Sequence, residues 1–239
     1  MTETSWPAGA TPSVPFLVSV PLTDPNNPSS WLYDVNVYPK NAVTTVTKSV
    51  QDADAVKLGD PVTWTITADI PEVNTIDGYK ITDKLDTKLD YTGATVTLAD
   101  GTPIVEGTDY TVGFDSVTHT LTVTFTAAGR AILAGDSATQ VVVKVNTAAN
   151  AVGVIANTAV LYPNKASFDV APGQPGGPVE SPQVETKWGE ITVLKTNETG
   201  AALPNAVFSV YTSQADAEAG KNPVSINGQT VCRQAPTVS

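Results

Sequence analysis

Val62-Thr63-Trp64-Thr65-Ile66-Thr67-Ala68 is the stretch that decides the fold. Val62, Trp64, Ile66 and Ala68 alternate with three threonines, so an extended segment would carry one apolar face and one polar face. Aromatic and β-branched side chains suit such a pleated, half-buried surface, and a strand is expected here. Working outward, residues 121–125 repeat the alternation, and residues 140–145 are again strand-like. Residues 110–114 and 119–125 read as a hairpin around Asp115-Ser116-Val117-Thr118, with His119 at a strand start. Only residues 127–134 look helical, with Gly135 expected as the C-cap. Short strands separated by turn signals over residues 42–166 indicate an all-β chain built on an immunoglobulin-like β-sandwich.

Composition sets the limits around that core. A chain of 239 residues, 41% hydrophobic and 15% charged, has material for one large or two small folded units. Its apolar runs fall short of the roughly 18 residues of a membrane span. A net charge of -11 argues against nucleic acid as a partner, because phosphate binding needs clustered Lys and Arg. With one His (His119) and one Cys (Cys232), Cys/His spacing builds no zinc site, and neither a metal nor a cofactor is expected. Asp24-Pro25-Asn26-Asn27 reads as a turn before it reads as a cation site. Asn197-Glu198-Thr199 matches a glycosylation sequon, which has meaning only in a suitable host.

Three polar residues fall on faces that periodicity assigns to the core. Lys48 shares a face with Val46 and Val50, Asp83 with Tyr79, Ile81 and Leu85, and Asn157 with Ile155, Ala159 and Leu161. A buried lysine or carboxyl is costly unless it is paired or neutral. Taken singly, each is explained by a strand that leaves its sheet early. Together they form a set with complementary chemistry, on an early, a middle and a late strand. Asp86 and Asp90 are the competing choices for the acid; Asp86 has the wrong parity and Asp90 lies beyond the expected strand end.

Upstream, Trp31-Leu32-Tyr33-Asp34-Val35-Asn36-Val37-Tyr38-Pro39-Lys40-Asn41 carries a second period-2 pattern, with Tyr33, Val35 and Val37 on one side. A strand with one buried face is expected, ended by Pro39, which has no N–H for a ladder. Lys40 would then stand out on a short tether. By composition alone it is a solvated lysine in a connector.

The residues Trp31, Val35, Val37, Tyr38, Pro39 and Lys40 resemble the pilin motif of major shaft subunits of sortase-assembled Gram-positive pili, with every element of the motif present. The resemblance implies that the Lys40 amine attacks a thioester between a pilin-specific (class C) sortase and the C-terminal threonine of the next identical subunit. It also implies a head-to-tail polymer and an extracellular, cell-wall-anchored pilus. Tip and base minor pilins and host receptors are further implied partners. Lys48, Asp83 and Asn157 resemble the intramolecular isopeptide triad of the family's collagen-adhesin A-type domain, with Asp83 as the acid that promotes bonding of Lys48 to Asn157. No external-substrate enzyme is implied, only this single-turnover step. The alternative is a surface adhesin of the same domain types that binds host protein or glycan, which would need no such motif.

On this resemblance residues 1–30 are the end of an N-terminal domain, 31–41 the motif, 42–168 the middle sandwich, 169–186 a Pro/Gly linker, and 187–239 a truncated collagen-adhesin B-type domain. Residues 15–23 resemble the N-terminal domain's closing strand and are expected to be disordered or an unpaired edge. The Pro/Gly run 171–182 is expected to be extended and poor in regular hydrogen bonds. Residues 191–195 and 200–211 are expected to open the last domain. Its first-strand lysine would be Lys195, expected to lack its Asn partner, and Cys232 would be half of a disulfide. No signal peptide is visible in residues 1–15 and no sorting signal after Ala235, so the chain is expected to be an internal fragment.

Overall fold

The computed structural model describes all residues except 53, 54, 56, 57, 136–138, 190–192, 204, 225–231 and 234–239. In chain order the elements are β1 (Ala10–Thr11), β2 (Leu22–Asp24), β3 (Asn27–Leu32), β4 (Ala42–Val43), β5 (Val46–Gln51), β6 (Pro61–Asp69), β7 (Lys80–Lys84), β8 (Leu89–Leu98), β9 (Tyr110–Asp115), β10 (Thr120–Phe125) and α1 (Ala127–Gly135). They continue with β11 (Gln140–Ala149), β12 (Gly153–Asn157), β13 (Ala159–Tyr162), a 3-10 turn (Lys165–Asp169), β14 (Val179–Glu180), β15 (Val184–Trp188), β16 (Val207–Phe208), α2 (Gln214–Ala219) and β17 (Cys232–Arg233). Two antiparallel sheets carry the core: one ordered β5-β6-β11-β8, the other β14-β13-β7-β10-β9. Val62, Trp64, Ile66, Val141, Val143 and Val145 from the first meet Ile81, Leu121, Val123, Phe125 and Leu161 from the second in one buried cluster. The chain is an all-β protein with a β-sandwich at its centre.

The threonines of β6 sit half-buried between fully buried neighbours, as their alternation dictates. Tyr79 crosses Phe125 edge to face at 5.4 Å and donates its hydroxyl to the Asp69 carbonyl at 2.9 Å, so its polar end is satisfied inside the core. Thr126 precedes helix α1, and its Oγ1 accepts from Gly129 N at 3.2 Å. The helix runs through Gly135, which lies inside it and is not its left-handed cap. His119 lies in the β9–β10 turn with a φ of 54°, not at a strand start. Asp115 folds this turn tightly by accepting from Val117 N at 2.8 Å.

The edges differ more from the sequence reading. Residues 171–182 are held by hydrogen bonds, not extended and loose: Gly9 N donates to Gly177 O at 2.9 Å, Gly176 N to Trp6 O at 2.7 Å, and Ser181 N to Ala159 O at 2.8 Å. The run also bonds to itself, with Gly177 N donating to Gln174 O at 2.8 Å. Within 15–23, Leu22 and Thr23 pair with Leu32 and Trp31, whereas residues 15–19 have no regular structure. In the C-terminal part, Ile191 and Thr192 lie outside the described residues, and residues 193–195 form no strand. Among the described residues of 200–211, only Val207–Phe208 is a strand, paired with β17. Helix α2, which the pattern did not announce, is capped by Ser213 Oγ accepting from Asp216 N at 3.1 Å and ends at Gly220 with a φ of 63°.

Candidate functional site

β5 and β7 belong to opposite sheets, so side chains that point inward from them meet across the sandwich. Lys48, opposite Ile66 in the first sheet, reaches Asp83, opposite Leu121 and Ala159 in the second. Lys48 Nζ lies 2.5 Å from Asp83 Oδ2, and both side chains are completely buried. Asn157 ends β12, two residues before Ala159, and is 3% exposed on the same inward face. The structure therefore gathers lysine, acid and amide around one buried point. Asp86 instead contacts Lys88 at the surface, and Asp90 accepts from Asn150 Nδ2 at 2.7 Å; neither reaches Lys48.

The electrostatics of this trio follow from burial. Desolvation holds the Lys48 amine below the ordinary lysine range, opposed by the neighbouring Asp83. Desolvation raises the Asp83 carboxyl, opposed by Lys48 and, more weakly, by the amide of Asn157. Asn157 is thus near enough to influence Asp83. Neither its Oδ1 nor its Nδ2 meets hydrogen-bond geometry, however, and Asp83 Oδ1 is likewise unpartnered among the described residues. A neutral amine, a protonated acid and an amide without a fixed partner are the states an acyl transfer to nitrogen uses.

Trp64, which no site reading of the sequence included, forms one wall. Its ring centroid lies 5.5 Å from Lys48 Nζ. The ring is locked by its own Nε1, which donates to Thr147 Oγ1 at 3.1 Å, while Thr147 donates to the Val62 carbonyl at 3.0 Å. The signal was present in the register, because Trp64 pairs with Val50 two residues beyond Lys48.

Lys40 occupies the opposite environment. The strand expected over residues 31–37 stops at Leu32, and residues 33–41 carry no regular structure. β3 finds its partner in β2 through the turn at Pro25-Asn26, whereas nothing among the described residues pairs with 33–38. The expected buried face is not formed: Tyr33 is 74% and Val37 37% exposed, as is Trp31 at 59%. Val35 is partly covered, and Pro39 and Lys40 are exposed. Immediately after Lys40 the chain returns to the sandwich, with Thr11 opposite Ala42 and Ala10 opposite Val43. A cleft of about 710 Å³ begins at Asn41 and is walled by Ile70, Pro71, Val73 and Leu133, with Asp69 and Glu72 among its lining residues.

The remaining candidates are scattered. Lys195 offers its carbonyl to Leu203 N at 2.8 Å. The side chain of Cys232, and with it the proposed disulfide half, lies outside the described residues. Asp24-Pro25-Asn26-Asn27 forms the β2–β3 turn, where Asp24 Oδ1 accepts from Asn26 N at 2.9 Å. Asn197 Oδ1 accepts from Thr199 N at 3.1 Å and Ala201 N at 2.9 Å, making the sequon asparagine a turn-former.

Residues 40–186 match the family described as the Sgo0707 N2 domain. Residues 1–42 match the N-terminal D1 domain of Gram-positive pilin subunits. The type 2 fimbrial subunit of Actinomyces naeslundii is 32% identical over 90% of this chain and 45% of its own length. Among solved structures, the full-length major pilin SpaD of Corynebacterium diphtheriae superposes with a TM-score of 0.70 at 29% identity, covering 96% of this chain and 57% of that one. The major pilin SpaA of the same organism gives 0.65 at 28% identity, covering 94% and 58%. The chain belongs to the Sgo0707 N2 domain family, and fimbrial subunits and major pilins of Gram-positive bacteria are among its relatives. It spans about half the length of the curated relatives it matches, 45% in each case.

Proposed function

We propose that the chain is part of a structural subunit of an extracellular, cell-wall-anchored pilus, in which Lys40 is the acceptor nucleophile for sortase-catalysed joining of identical subunits. The observation that carries this reading is the contrast between two lysines eight positions apart. Lys40 is exposed after a proline on an irregular segment, and Lys48 is sealed inside the sandwich. In the linking step the amine of Lys40 attacks the carbonyl of a threonyl thioester on a class C sortase. An amide C–N bond forms, the C–S bond breaks, and the thiol recovers its proton. Exposure supports this role because the acyl donor is a bulky enzyme.

For the buried trio the proposed reaction is internal. Lys48 Nζ bonds to Cγ of Asn157, the Cγ–Nδ2 bond breaks, and one proton passes from the amine to the departing nitrogen, which leaves as ammonia. Asp83 donates to the amide oxygen as the tetrahedral intermediate forms and recovers its proton when ammonia leaves. Enclosure replaces an external enzyme, since amine and amide are held together in one dry site. The solved structure of SpaA was described as pointing to a modular pilus assembly with stabilizing isopeptide bonds, which supports the same chemistry here. On this reading residues 42–168 are the middle domain and 187–239 open the next.

A reconstituted reaction of the full-length subunit with a pilin-type sortase tests the assignment. Lys40→Arg should abolish the polymer ladder and keep the internal cross-link; Lys48→Arg should remove the cross-link and keep the ladder. Ladder formation by Lys40→Arg would refute Lys40 as the linkage site.

A further inference from the structure

The segment that carries Lys40 leaves the sandwich after Thr11 and rejoins it at Ala42, and the pairing of those two residues closes its neck. Asn41, the last residue before the neck, is gripped from two sides. Its Nδ2 donates to Glu3 Oε1 at 2.8 Å, and its Oδ1 accepts from Ser13 N at 3.3 Å. The neck is in turn tied to the sandwich, because Asn164 Nδ2 donates to the Ala10 carbonyl at 3.0 Å and Thr44 N donates to the Gly9 carbonyl at 3.0 Å. Residues 33–40, by contrast, have no regular structure of their own. The Lys40 backbone therefore inherits its placement from its C-terminal neighbour. A nucleophile on a long mobile loop reacts slowly, since each attack must recover lost orientation, and fixing its base restores effective molarity.

We infer that Asn41, clamped between Glu3 and Ser13, is a positioning residue that fixes the base of the Lys40 side chain for attack on the acyl donor. The inference rests on the reading of Lys40 as the nucleophile. Glu3 takes part through one oxygen as an acceptor, while its Oε2 is buried without a partner among the described residues. Glutamine at position 3 would keep the acceptor, and alanine would not. The role thus belongs to hydrogen-bond geometry and not to the charge of Glu3.

The test uses the whole chain as amine acceptor, a pilin-type sortase, and a peptide containing Leu-Pro-x-Thr-Gly as acyl donor, with product followed against acceptor concentration. Asn41→Ala and Glu3→Ala should each lower kcat roughly tenfold. KM for the chain, the melting temperature and the mass of the internal cross-link should stay unchanged, and Glu3→Gln should retain wild-type kcat. Unchanged kcat in Asn41→Ala, or a raised KM with intact kcat, would overturn the inference. So would equal losses in Glu3→Gln and Glu3→Ala, which would assign the effect to the carboxylate's charge. The Lys40→Arg chain runs beside them. If it still accepts the peptide, the reading of Lys40 itself falls; if it is inert while Asn41→Ala is fully active, only the positioning role falls.

Discussion

Lys48 and Lys40 have the same side chain and are assigned different chemistry by their surroundings alone. Lys48 is deprived of water by the Trp64 ring and the sheet faces, and the carboxyl at bonding distance from it is one that burial pushes toward its neutral form. This makes a prediction about pH in the variant Asn157→Ala, in which Lys48 must remain an amine. Its folded pKa lies below the 10.5 of the unfolded chain, so between those two values the unfolded state binds more protons. The stability linked to Lys48 is then fully present above the unfolded pKa and is lost as pH falls through the folded one. The urea midpoint of Asn157→Ala should accordingly rise as pH approaches 10.5 from below, and Asn157→Ala/Lys48→Met should not show the rise. The wild-type chain should lack it as well, because an amide nitrogen does not titrate in that pH range. A rise of equal size in all three proteins would assign it to other groups.

At the scale of elements, close approach of backbones decides more than propensity does. α1 packs so tightly that a Cβ on Gly129 would lie 2.0 Å from the Asp109 carbonyl oxygen, where only backbone movement could relieve it. Gly129→Ala should therefore destabilise the sandwich by about 1–3 kcal/mol in urea unfolding, although alanine is the better helix former. A neutral or stabilising result would mean that α1 stands further from the β9 entry. The strands of the sandwich, and the inward faces of Lys48, Asp83 and Asn157, were legible because β6, β10 and β11 each announce themselves by parity. The strand expected over residues 31–37 shows the limit of such reasoning. Alternation states that a segment could be a strand, but a strand also needs a neighbour, and the pairing of β2 with β3 uses up its partner at Leu32. Asn41 illustrates another limit. Its contacts run to Glu3 and Ser13, 38 and 28 residues away, and no local pattern encodes them.

At the centre of the whole molecule is a sandwich on whose interior β5 and the neighbouring β12 converge at one buried point. On the proposed reading, a covalent link from Lys48 to Asn157 would close most of the sandwich into a single loop, restricting the unfolded chain as a long-loop disulfide does, by an amount of order 3–5 kcal/mol. Asn157→Ala, which leaves the Lys48–Asp83 contact in place, should melt well below the wild-type chain; equal melting temperatures would mean that no such loop is closed. The Pro/Gly run joins this body through Trp6, Gly9 and Ser181, so the segment bearing Lys40 is rooted in the sandwich at both ends. The central claim is that one lysine is spent between subunits and the other within one. Fragment mapping by tandem mass spectrometry of the chain after reaction with a pilin-type sortase and a Leu-Pro-x-Thr-Gly donor tests both halves at once. The predicted result is one branched peptide with the donor threonine on Lys40, and a second that joins Lys48 to Asn157 and is lighter by roughly 17 Da through loss of ammonia. Donor threonine on any other lysine, or Lys48 and Asn157 recovered as separate peptides of full mass, would contradict it.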